Sequence, residues 1–149
     1  MDIEAIVIFL LIVFILVHEY FFGGQAPKPY KYRDCMGKQW KNEFPKASKE
    51  EIRKFLLIFV NAFAFRDDQR LKFEPNDKIY EIYKSVTGWS GVDAMELETL
   101  SDNLEKQYSV SLRQIWHENL TLGELFQSIL NAQQGASPDG NSAALHCRR

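Results

Sequence analysis

The run AIVIFLLIVFILV, residues 5–17, constrains the chain more than any other stretch. Thirteen apolar residues in a row cannot form one face of an ordinary amphipathic helix, because every face of such a helix would be greasy. Extended to Ile3–Phe22 the segment reaches twenty residues, with Glu4 and Glu19 near its ends and Tyr20, Phe21 and Phe22 as an aromatic cluster. A spanning helix needs about 17–25 residues, and aromatic side chains favour the membrane interface. The expectation is a transmembrane anchor at 3–22. A cleaved signal peptide fits less well, since Asp2 and Glu4 replace its usual positive start.

Charge then divides the rest of the chain. Residues 24–54 hold nine Lys or Arg and four Asp or Glu, whereas residues 67–130 hold six and twelve. Lys28, Lys31, Arg33, Lys38 and Lys41 follow the apolar run, which predicts a single-pass membrane protein with its domain on the cytoplasmic side, in the bacterial inner membrane. Residues 23–47 carry Gly, Pro and Lys without a sustained period and read as a basic juxtamembrane linker in contact with membrane lipid, with Trp40 and Phe44 as alternative docking residues.

Periodicity places a helical domain at 48–130. Ser48 and Glu51 form an S-x-x-E capping box, followed by Ile52, Phe55, Leu56, Phe59 and Phe63 at helical spacing. KIYEIYKSV adds a short helix, and Gly88 to Gly91 interrupt the pattern. A further helix starts at Asp93, with Leu97, Leu100, Leu104 and Tyr108 inward and Glu98, Asp102 and Glu105 on another side. Thr121 caps a last helix that turns Leu122, Leu125, Phe126 and Ile129 inward. The fold class expected is all-α: three main helices and a short one after a transmembrane helix, with a disordered tail at 131–149.

Enzyme chemistry finds no footing in the sequence. No Ser/His/Asp spacing, phosphate-binding glycine loop or paired catalytic carboxylates occur. His18, His117 and His146 are scattered, as are Cys35 and Cys147, so neither a metal centre nor a disulfide framework is expected. Nucleic acid is an improbable partner for a domain whose folded part is acidic.

Residues 93–125, DAMELETLSDNLEKQYSVSLRQIWHENLTLGEL, resemble the second half of acyl carrier proteins. Asp93, Leu100, Leu104, Glu105, Tyr108, Val110, Leu112, Thr121, Gly123 and Glu124 fall on matching positions. The resemblance implies a carrier-like helical bundle, with phosphopantetheine attached to the residue after the aspartate. That residue is Ala94, whose methyl group cannot attack the pyrophosphate of coenzyme A. No cofactor is therefore expected. The resemblance further implies that the acidic helix meets a basic patch on a partner enzyme, with Asp93, Glu96, Glu98, Asp102 and Glu105 as partner-binding residues. The reading is a noncatalytic, membrane-anchored adaptor in lipid or acyl-chain metabolism; the alternative is a working carrier modified at a non-standard serine.

Overall fold

A computed structural model describes residues 3–22, 24–87 and 94–135, with side chains from Glu4 to Ile15 in the first of these segments. The described residues are helical throughout their regular structure, joined by one isolated antiparallel bridge between Lys78 and Thr121. Helix α1 spans Ile3–Phe22 and exposes its apolar side chains from Ile6 to Ile15.

Among the described residues no helix is long and apolar enough to cross a membrane. This corrects the expected transmembrane anchor, and with it the single-pass placement and the inner-membrane assignment. The physical reason lies in the length of the apolar run. At 1.5 Å per residue, thirteen residues extend about 20 Å, against a hydrocarbon core of about 30 Å. Reaching twenty residues requires counting Glu4, His18 and Glu19.

The segment expected as a linker contributes to the core. Two short helices, α2 (Lys28–Lys31) and α3 (Gly37–Glu43), bury Tyr30 and Trp40, while Ala26, Phe44 and Ala47 are buried beside them. The Trp40 indole N–H donates to the Phe73 carbonyl at 2.8 Å, which satisfies the polar atom of a fully buried ring. Around it stand Phe44, Phe55 and Phe126, with ring centroids 5.8, 5.9 and 5.7 Å away.

Arg33, one of the basic residues expected beside a bilayer, is instead bound into the domain. Its guanidinium donates to both oxygens of Asp77, at 2.8 and 2.7 Å, and stacks over the Tyr30 ring at 4.8 Å. Asp77 is 6% exposed and also accepts the Glu74 amide. The pairing satisfies a carboxylate that would otherwise be buried at high cost.

Helix α4 (Lys49–Ala62) is the centre of the fold. The Ser48 hydroxyl accepts the Glu51 amide at 3.1 Å and the Glu51 carboxylate accepts the Ser48 amide at 2.7 Å, so both halves of the capping box form. Ile52, Phe55, Leu56, Phe59 and Val60 are buried, and Leu57 and Ile58 pack against the same core, which accounts for the more than one greasy face of this helix. A 3-10 turn at Asp67–Lys72 packs across α4, followed by α5 (Ile79–Thr87).

Helix α6 (Met95–Tyr108) lies on α4 through fully buried Leu100 and Leu104, with Leu97 and Tyr108 half-buried. A single turn, α7 (Leu112–Ile115), leads to α8 (Leu122–Gly135), whose Leu122, Leu125, Phe126 and Ile129 close the core. Helix α8 continues through 131–135, a stretch expected to be disordered; residues 136–149 lie outside the described residues. Its start fits tightly, because a Cβ on Gly123 would stand 3.1 Å from the Pro75 carbonyl oxygen that accepts the Gly123 amide.

Candidate functional site

Helical geometry sorts the acidic residues. Glu98, Asp102 and Glu105 recur at i, i+4 and i+7 and are exposed together on the face of α6 away from Leu100 and Leu104. Glu96 sits about 160° around the axis from Glu98 at about 100° per residue. It is half-buried, and its Oε2 is shielded from solvent without a hydrogen-bond donor among the described residues. Asp93 lies outside the described residues. Among the described residues, three of the five expected partner-binding carboxylates, Glu98, Asp102 and Glu105, thus share one exposed face of α6.

Beside it, α6 and α7 enclose a cleft of about 360 Å³ lined by Leu97, Glu98, Asp102, Leu112, Arg113 and Trp116. The geometry follows from the turn between the two helices. Ser109 takes a left-handed conformation (φ 56°) and donates its amide to the Glu105 carbonyl, ending α6 and folding Val110 and Leu112 back onto the core. Trp116 follows α7 in extended backbone and lines the cleft half-exposed. Glu98, Asp102 and Glu105 take part in no salt bridge among the described residues. Their field is therefore directed outward, with Arg113 at one edge.

Arg113 and Trp116 were absent from the expected site. A signal for Trp116 existed in the sequence: a large aromatic within the polar stretch SVSLRQIWHEN, outside any helical stripe. His117 and Glu118, the one arrangement there with any catalytic look, are both exposed, and His117 Nε2 lies 3.9 Å from Glu124 rather than against Glu118.

Among the described residues the start of α6, from Ala94 to Leu97, carries no hydroxyl or thiol. Ala94 is the N-cap with φ −91° and ψ 21°, makes no side-chain cap, and is exposed. The other capping carboxylates are committed elsewhere. Glu124 accepts the Thr121 amide at 2.9 Å, and this bond holds its carboxyl below the usual range; the Ser48 amide does the same to Glu51. Burial, with a smaller effect of Glu51, raises the Tyr108 phenol above its ordinary value. Among the described residues no group of three His, Cys, Asp or Glu side chains is placed to hold a metal ion.

No family model, curated protein or solved structure matches the chain.

Proposed function

We propose that this domain is a noncatalytic adaptor that docks through α6 and α7 onto a partner protein. The partner presents basic side chains around an apolar projection. The observation that carries the reading is the pairing, in one cleft, of an apolar floor (Leu97, Leu112), a half-exposed Trp116 and the exposed carboxylates of Glu98 and Asp102. Aromatic anchors supply most of the energy in such contacts, while rim charges set encounter rate and partner choice. The resemblance of residues 93–125 to acyl carrier proteins supports an enzyme of acyl-chain metabolism as the partner class. Ala94 supports contact without covalent loading.

The test is affinity capture with the full chain and three variants: Trp116→Ala, the triple reversal of Glu98, Asp102 and Glu105 to lysine, and reversal of Asp67 and Asp68 as a control. Proteins held by the native chain and the control, but lost from the other two at matched helicity, support the reading. Capture that survives both changes removes the α6–α7 face from it.

A further inference from the structure

A second cleft, of about 320 Å³, lies where α3, the start of α4 and the 3-10 turn meet. Its floor is Ile52, which is 4% exposed, together with Leu71 and Gly37, and the exposed Cys35 also lines it. Its walls are Lys38, Lys41, Lys49 and Arg53, and no carboxylate lines it. Four cations around an apolar floor repel one another, and an anionic occupant relieves that repulsion.

Two acids stand near the cleft without lining it. Glu51 closes the capping box with Ser48, and Glu50 lies 3.9 Å from the Arg53 guanidinium at the rim. The Lys41 ammonium is held by the Pro45 and Ala47 carbonyls at 2.9 and 2.7 Å, which fixes one positive charge at the edge of the cleft. The Lys38 and Lys49 ammonium groups have no hydrogen-bond or ion-pair partner among the described residues.

Small-molecule sites combine a concave apolar lining with a few placed polar groups, in volumes of about 300–1,000 Å³. This cleft meets that description at its lower end. Its lining contains no aromatic ring to stack a planar ligand; the apolar surface comes from branched aliphatic side chains and from lysine stems, which lie along apolar surface while their charges stay in water. At about 30 Å³ of liquid volume per water molecule, 320 Å³ corresponds to roughly ten small heavy atoms. We propose that the cleft is a binding site for a short aliphatic carboxylate, with the tail on Ile52 and Leu71 and the carboxylate among Lys38, Lys49 and Arg53. Gly37 leaves room for the tail. A Cβ there would stand 3.5 Å from the Cys35 sulfur and 4.0 Å from Leu71 Cδ2, so a larger side chain at 37 projects into the floor.

Cys35 is exposed and reports on occupancy. The experiment uses the full chain carrying Cys147→Ser and follows alkylation of Cys35 by uncharged N-ethylmaleimide with octanoate, octan-1-ol or inorganic phosphate present. Octanoate is expected to slow alkylation saturably, by fivefold or more, with octanol and phosphate at the same concentrations each changing the rate less than twofold. In the variant Lys38→Gln/Arg53→Gln the half-saturating octanoate concentration is expected to rise about fivefold, and in Gly37→Leu protection is expected to vanish at unchanged melting temperature. No protection by octanoate overturns the proposal. Equal protection by phosphate reduces the cleft to a general anion site, and equal protection by octanol to an apolar patch; either overturns it. Protection that grows with protein concentration alone assigns the cleft to a second copy of the chain and overturns it as well. These comparisons on the unsubstituted cleft decide the matter even where a variant fails to fold.

Discussion

Replacing Trp40 tests whether residues 24–47 belong to the folded core. The ring is fully buried among Phe44, Phe55 and Phe126, and its N–H satisfies the Phe73 carbonyl. In Trp40→Phe, a buried carbonyl loses its donor, at about 1 kcal/mol or more. The smaller ring leaves unfilled space worth about another 1 kcal/mol. The expected loss is about 2 kcal/mol. With a urea dependence of about 1.5 kcal/mol per molar, the unfolding midpoint should fall by about 1.3 M. Trp40→Ala should cost about 4–5 kcal/mol, a large part of the about 5–15 kcal/mol available to a domain. The comparison is Tyr32→Ala in the same segment, 77% exposed, which should stay within about 0.5 kcal/mol of the native chain. Urea unfolding followed by circular dichroism at the helix band measures all three and avoids the fluorescence of Trp89 and Trp116. Midpoints for both Trp40 variants that match the Tyr32 variant would refute the reasoning.

Three further outcomes are expected. Arg33→Ala leaves the Asp77 carboxylate unpaired and should cost about 2–3 kcal/mol, less than a fully buried pair because Arg33 is 27% exposed; a double-mutant cycle with Asp77→Asn should show positive coupling, and additivity would contradict it. The carboxyls of Glu51 and Glu124 are held below the ordinary 4.5 in the folded chain, so their stabilisation is complete above that value and is lost as pH falls through their lowered values; urea midpoints of Glu51→Gln/Glu124→Gln should therefore fall less steeply below pH 4.5 than those of the native chain. Incubation with coenzyme A and a broad-specificity phosphopantetheinyl transferase should leave the intact mass unchanged, and a gain would contradict the reading of Ala94.

Two of the long helices, α4 and α8, were legible because each advertises itself twice. The Ser48/Glu51 and Thr121/Glu124 pairs mark starts, and both form the reciprocal bonds their spacing predicts. The apolar stripes from Ile52 to Phe63 and from Leu122 to Ile129 mark buried faces, and those residues are 4% exposed or less. Residues 24–47 carried no comparable signal. Their helices are four and seven residues long, too short for a 3.6-residue period, and each buries a single aromatic among lysines. Asp77 was likewise invisible as a core residue, since its partner is 44 positions away. The acidic site was half legible: spacing alone sets Glu98, Asp102 and Glu105 on one face, but the cleft with Arg113 and Trp116 depends on how the chain turns at Ser109. Length misled at the other end, where twenty helical residues contain a shorter apolar run than crossing a bilayer requires.

Gly24 fixes where the segment carrying α2 and α3 meets the end of α4. Its φ of +70° suits glycine, and an added Cβ would fall 1.8 Å from the Ala64 carbonyl oxygen, while the Gly24 carbonyl accepts the Arg66 amide at 2.8 Å. The backbone is therefore clamped directly to the exit of α4. Gly24→Ala would push the two stretches of backbone apart and cost the bond to the Arg66 amide, so the segment carrying α2 and α3 would lose its tie to the end of α4 at its first residue.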